Sequence, residues 1–209
     1  IRAAAKNYND VVVIPSKNQY KDLMSILEEK NAETSLEDRK NLALEAFDVS
    51  SHYDTVIFRH FNKKNSKLTF KASQNQATEL RYGENPHQNG VFYGDLNELF
   101  DQLHGKQISY NNLIDIDAAV HLIRDFEPGT FAVLKHNNPC GVATRENLTD
   151  AWKDALAGDP VSAFGGVLVT NSKVDQKTAE EINKIFFEII IAPAYSEEAL
   201  SVLKQKKNR

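Results

Sequence analysis

From residue 68 onward, short apolar runs alternate with stretches of helical spacing, and this alternation limits the available folds more than any other feature of the chain. Residues 68–72 and 91–93 read as strands. Residues 115–126 read as a helix that turns Ile116, Ala119, Val120, Ile123 and Phe126 inward. Further strands are predicted over 131–135, 167–170 and 189–192, with helices over 148–157, 175–185 and 196–204. Strand–helix alternation of this kind builds an α/β layer fold, in which functional loops often lie past the carboxyl ends of the strands. No internal repeat or low-complexity segment interrupts it.

The first third reads differently. A β-branched run at 11–14, closed by Pro15, predicts a strand; 19–30 predicts a helix with Leu23, Met24, Ile26 and Leu27 near one face. Ser35 can cap a second helix, with Glu37 and Asp38 in its first turn, and a third helix is expected over 53–61. Residues 16–64 thus form a mainly helical connector, and the polar, basic stretch 63–67 separates two units. With 25 basic and 29 acidic residues the net charge is −4, which argues against a nucleic-acid protein while leaving room for a local phosphate pocket. An apolar fraction of 41% can build a core. No apolar segment is long enough to span a membrane, and no signal peptide is evident. A single cysteine excludes an internal disulfide and suits a reducing cytoplasm. Both ends read as interior sequence, so the chain is expected to be part of a longer one.

Five stretches carry chemistry. In KHNNPCG, Lys135 and His136 follow an apolar strand, and successive strand residues point to opposite faces. The two can share a pocket only if the backbone leaves strand geometry there, for which Asn137, Asn138 and Pro139 supply turn chemistry; the alternative is a strand end with solvated basic residues. A zinc site of the deaminase type is poorly supported: position 138 is asparagine, not the glutamate that shuttles protons, and no second cysteine exists. Cys140 then reads as a small packed residue. In RYGENPHQ, Arg81 offers a forked donor for phosphate or carboxylate and Tyr82 a ring with a hydroxyl; the alternative is a rigid turn with a surface arginine. His87 belongs to the same loop, and the remaining histidines show no ligand spacing. In DPVSAFGG, Gly165 and Gly166 allow close backbone approach. In YNNLID, Asn112 either binds a ligand or caps the following helix, and in FFEIIIAP, Glu188 is a solvated strand start or a pocket acceptor.

Taken together and in order, RYGENPHQ, YNNLID, KHNNPCG, DPVSAFGG and IIAPAY resemble the bifunctional purine-synthesis enzymes that join AICAR transformylase to IMP cyclohydrolase (AICAR is aminoimidazole carboxamide ribonucleotide). The resemblance implies a fold and boundaries: residues 1–15 as the end of a methylglyoxal-synthase-like cyclohydrolase domain, 16–67 as the helical connector, and 68–209 as the first part of a cytidine-deaminase-like transformylase domain without zinc. It implies that Lys135 and His136 are the catalytic pair of formyl transfer and that Lys6 has its counterpart in a lysine of ring closure. Arg81, Tyr82, Asn112, Gly165 and Glu188 would contact the ribonucleotide; some relatives carry aspartate at the last position. The formyl donor would be 10-formyltetrahydrofolate, the small-molecule partners AICAR and folate, and the assembly a homodimer, with no metal in the chemistry. Further cyclohydrolase residues would precede Ile1 and further transformylase residues would follow Arg209, which leaves open whether these 209 residues alone support either activity. A ribonucleotide-binding module without chemistry is the other reading.

Overall fold

A computed structural model describes residues 1–65 and 67–207. The chain divides into two compact units, residues 1–76 and 77–209.

The first unit is helical. Helix α1 (Arg2–Lys6), α2 (Tyr20–Glu29) and a 30-residue α3 (Leu36–Asn65) make up most of it. Ala5, Val13, Ala43 and Ala46 are buried together, so the segment following α1 packs on the first half of α3. Arg39 strengthens this by donating from Nε to the Tyr8 carbonyl at 2.9 Å. The run at 11–14 is not a strand: it lies without a β partner, and Val13 is buried against helices instead. The two helices expected over 35–61 are one continuous helix. Ser35 does cap it, accepting from the Asp38 N–H at 3.2 Å.

The second unit is mixed α/β. A two-stranded antiparallel ribbon, β1 (Ala77–Glu79) and β2 (Val91–Tyr93), precedes α4 (Tyr110–Ile123). The strand expected at 68–72 is absent; Leu68 and Phe70 are exposed, and the pairing partner of β2 is 77–79. Next come β3 (Thr130–Lys135), β4 (Asn138–Thr144), α5 (Leu148–Gly158), β5 (Gly166–Thr170), α6 (Gln176–Ile182), β6 (Phe187–Ile191) and α7 (Glu197–Leu203). These strands form one sheet in the order β4-β3-β5-β6, with β3 antiparallel to both neighbours and β5 parallel to β6. Side chains alternate between its faces. Ala132, Leu134, Val167 and Val169 meet Ala119 and Ile123 of α4 on one face. Phe131, Val133, Leu168 and Phe187 meet Trp152, Ala155, Ile182 and Leu203 of α5–α7 on the other. Because β3 and β5 have both faces covered, they read as continuous apolar runs, which is why the sequence locates them well.

Strand β4 was not expected, because Asn-Asn-Pro reads as a loop. It is tolerated as a strand because it lies at the sheet edge, where a proline need not donate.

Candidate functional site

Three strand termini lie at the same end of the sheet. Antiparallel pairing puts the carboxyl end of β3 beside the amino end of β5, and parallel pairing puts the amino end of β6 there too. Lys135, Gly165 and Glu188 occupy those three ends.

The β3–β4 hairpin turns on two residues, His136 and Asn137, between the pair Lys135 and Asn138. Both have positive φ, 50° and 64°. That is the type I′ pattern, whose twist matches that of the flanking strands. Asparagine accepts it readily and histidine less so. The backbone therefore does leave strand geometry between Lys135 and His136. The Asn138–Pro139 bond is trans. His136 is exposed, and its carbonyl accepts from Asn138 Nδ2 at 2.7 Å. The turn is tied to α4: Asp115 Oδ1 accepts the Asn137 backbone N–H at 2.8 Å.

Lys135 crosses to the loop before β5. Its Nζ donates to the Phe164 carbonyl at 2.5 Å and lies 3.9 Å from where a Cβ on Gly165 would sit. Gly165 has φ +72°, and its N–H donates to the Phe186 carbonyl at 2.8 Å. A side chain there would be strained by the positive φ, and its Cβ would come into van der Waals contact with the Phe186 ring at 3.4 Å. Phe164 and Phe186, both exposed, face each other with centroids 5.3 Å apart.

Asn112 and Glu188 meet although 76 residues separate them: Asn112 Nδ2 donates to Glu188 Oε2 at 2.9 Å. Asn112 also caps. Helix α4 starts at Tyr110, five residues earlier than expected, with Ser109 as its cap; Asn112 Oδ1 accepts from Ser109 Oγ at 2.9 Å and the reciprocal N–H bond is present. Glu188 can reach Asn112 because the β5–β6 register steps there. Gly166 pairs with Phe187 and Val167 with Ile189, leaving Glu188 outside the ladder. Irregularities of this kind re-aim a side chain and recur beside functional sites.

The RYGENPHQ loop closes on itself and on α4. Gly83 and Gln88 pair through the Gly83 N–H and Gln88 carbonyl at 2.8 Å. Tyr82 accepts the Tyr110 N–H at its carbonyl, and Asn111 Nδ2 donates to the Glu84 carbonyl. The Arg81 guanidinium stacks over the Tyr82 ring at 4.7 Å, and its Nη2 donates to the Tyr82 hydroxyl. Arg81 Nε is buried with no hydrogen-bond partner among the described residues.

Two residues from the sequence reading take no part in these contacts. Lys6 is exposed at the end of α1 in the first unit. Cys140 is half-buried against the α5–α7 core, and burial pushes its thiol pKa up, as fits a packed residue. No group of three or more His, Cys, Asp and Glu among the described residues could hold a metal ion. Two contributors were missed: Asp115, which stood inside YNNLID without being singled out, and the Phe164 carbonyl, a backbone atom that no residue pattern can flag. A cavity of about 400 Å³ between α4 and the hairpin is lined by His121, Arg124, Leu134, Asn137 and Pro139, without Lys135 or His136.

Fold and site together define a mixed α/β protein that gathers a lysine, a histidine turn, an amide–carboxylate pair and a stacked arginine loop around the start of one helix and one end of a sheet. The model of the AICARFT/IMPCHase bienzyme family matches residues 4–209, and the chain belongs to that family. It is similar over its whole length to the bifunctional purine biosynthesis protein PurH of Bacteroides thetaiotaomicron, with 61% identity over 209 residues covering 41% of that protein. The PurH proteins of Ruminiclostridium cellulolyticum (43% over 218 residues, 42% of that protein) and Lactococcus lactis (44% over 221 residues, 42%) match it equally fully. The chain spans about two fifths of the length of these relatives.

Proposed function

We propose that this chain supplies part of the site that transfers a formyl group from 10-formyltetrahydrofolate to the 5-amino group of AICAR, in a longer protein that also closes the ring to IMP. The observation that carries the reading is the convergence of Lys135, Gly165 and the Asn112–Glu188 pair at one end of the sheet, on a chain of this family.

The amine of AICAR is a weak nucleophile, because its lone pair is delocalised into the imidazole and carboxamide. It must lose a proton as it attacks the formyl carbon. An imidazole, with an ordinary pKa of about 6.5, suits that task at neutral pH. His136 takes the proton as the new C–N bond forms. Lys135 stabilises the oxyanion of the tetrahedral intermediate. The bond to folate N10 then breaks, N10 takes up a proton, and the formyl group remains on the amine. Arg81, with a buried N–H still to be satisfied, and Tyr82, Asn112, Gly165 and Glu188 hold the ribonucleotide, so attack becomes effectively intramolecular. Lys6 serves ring closure with residues outside this chain. The same reading brings a cytidine-deaminase-like fold for the second unit, a methylglyoxal-synthase-like domain ending near residue 15, and a homodimer.

In the full-length enzyme, His136→Ala and Lys135→Ala are each expected to slow formyl transfer by about 10²-fold or more while AICAR still binds. Near-normal turnover in both variants would reject the assignment. AICAR binding by the full-length protein with no turnover under any folate donor would favour a binding module instead.

A further inference from the structure

Helix α4 grips the loop end of the sheet twice, at positions one turn apart on one face. Asn112 holds Glu188, and Asp115 holds the hairpin turn. The second grip centres on one carboxylate oxygen. Asp115 Oδ1 accepts the Asn137 backbone N–H at 2.8 Å. With the Asn137 amide nitrogen turned toward the helix, it also accepts that group at 3.0 Å, and the Ile114 carbonyl accepts it at 3.3 Å. What Asp115 holds is a turn in which two non-glycine residues sit at positive φ, with His136 as the first of them. Such a conformation persists only where its surroundings over-determine it. The Asn138 amide also holds the His136 carbonyl, at 2.7 Å, but the side chain that ties the turn to α4 is that of Asp115.

We propose that Asp115 is a positioning residue for the formyl transfer: by clamping the His136–Asn137 turn, it holds the imidazole at the reacting amine. It acts through the turn and not on the substrate. The proposal rests on the role given to His136 above. A displacement of a reacting group by about 1 Å can cost about 10²-fold in rate, so a loosened turn is felt mainly in kcat.

The test uses the full-length enzyme. Asp115→Ala is expected to lower kcat by about 10-fold or more with KM for AICAR little changed, and to speed hydrogen exchange at the Asn137 amide. Asp115→Asn, which keeps an acceptor oxygen, is expected to retain most of the activity. Adding Asn137→Gly to Asp115→Ala is expected to restore part of kcat, because glycine takes positive φ without strain and re-forms the turn unaided. Unchanged kcat in Asp115→Ala, alongside an inactive His136→Ala, would overturn the clamp and leave the histidine's role standing. A loss that neither asparagine at 115 nor glycine at 137 relieves would also overturn it, since Asp115 would then act on the substrate directly. If Asp115→Ala fails to fold, the Asp115→Asn and Asn137→Gly arms decide alone: turnover as low in Asp115→Asn as in His136→Ala rejects the clamp. Normal turnover in His136→Ala would remove the reading beneath it.

Discussion

Gly141 sits where α5 comes close to the sheet. A Cβ there would overlap the Ala155 carbonyl oxygen, and one on Gly158 would come within 2.8 Å of the Cys140 carbonyl oxygen. The glycine of KHNNPCG is therefore a packing requirement, whereas the lysine and histidine of the same stretch are presented outward. Gly141→Ala is expected to destabilise the second unit by about 1–3 kcal/mol, measured by urea unfolding, because helix and strand must part to make room. Apart from Gly165, the candidate site residues stood out by type, each a side-chain donor or acceptor within an unusual local pattern. What each one touches did not. Asn112 had two readings in the sequence, cap or ligand contact, and its side chain both caps α4 and reaches Glu188. The bond to Glu188 depends on a register step that no local pattern announces.

Helix α3 shows why element boundaries were harder to read than element types. Two helices were expected where one runs on, and between them the Ser50 and Ser51 hydroxyls donate to the Phe47 and Asp48 carbonyls while Thr55 donates to Ser51, so the polar groups are absorbed by the helix's own backbone. At its start, the Lys30 ammonium and the Ser35 hydroxyl and N–H hold the Asp38 carboxylate down to about 2. A carboxylate depressed in the folded state stabilises above its unfolded value of 3.8 and loses that contribution as pH falls toward about 2. Asp38→Asn is therefore expected to flatten the acid dependence of helical circular dichroism between about pH 4 and 2, compared with the unsubstituted chain. Strand β4 was lost to the sequence for the converse reason: of the turn formers Asn137, Asn138 and Pro139, only Asn137 lies in the two-residue turn, and the other two open the strand.

The two compact units have separate cores, one of small residues around α3 and one of large residues on both faces of the sheet. Trp152, the only tryptophan, packs edge-on against Phe131 with centroids 5.1 Å apart, so its fluorescence reports the second unit. Phe131→Ala is expected to lower the stability read by that probe by about 3–5 kcal/mol in denaturant titration. By itself, the sequence determined the α/β class of this unit, the buried strands and the family, because apolar periodicity and contiguous polar patterns are local properties of a chain. Only the tertiary structure decided strand order, the continuity of α3, the edge position of β4 and which polar groups meet. Burial is non-directional: it specifies that two faces must be covered, and the register that covers them selects the partners.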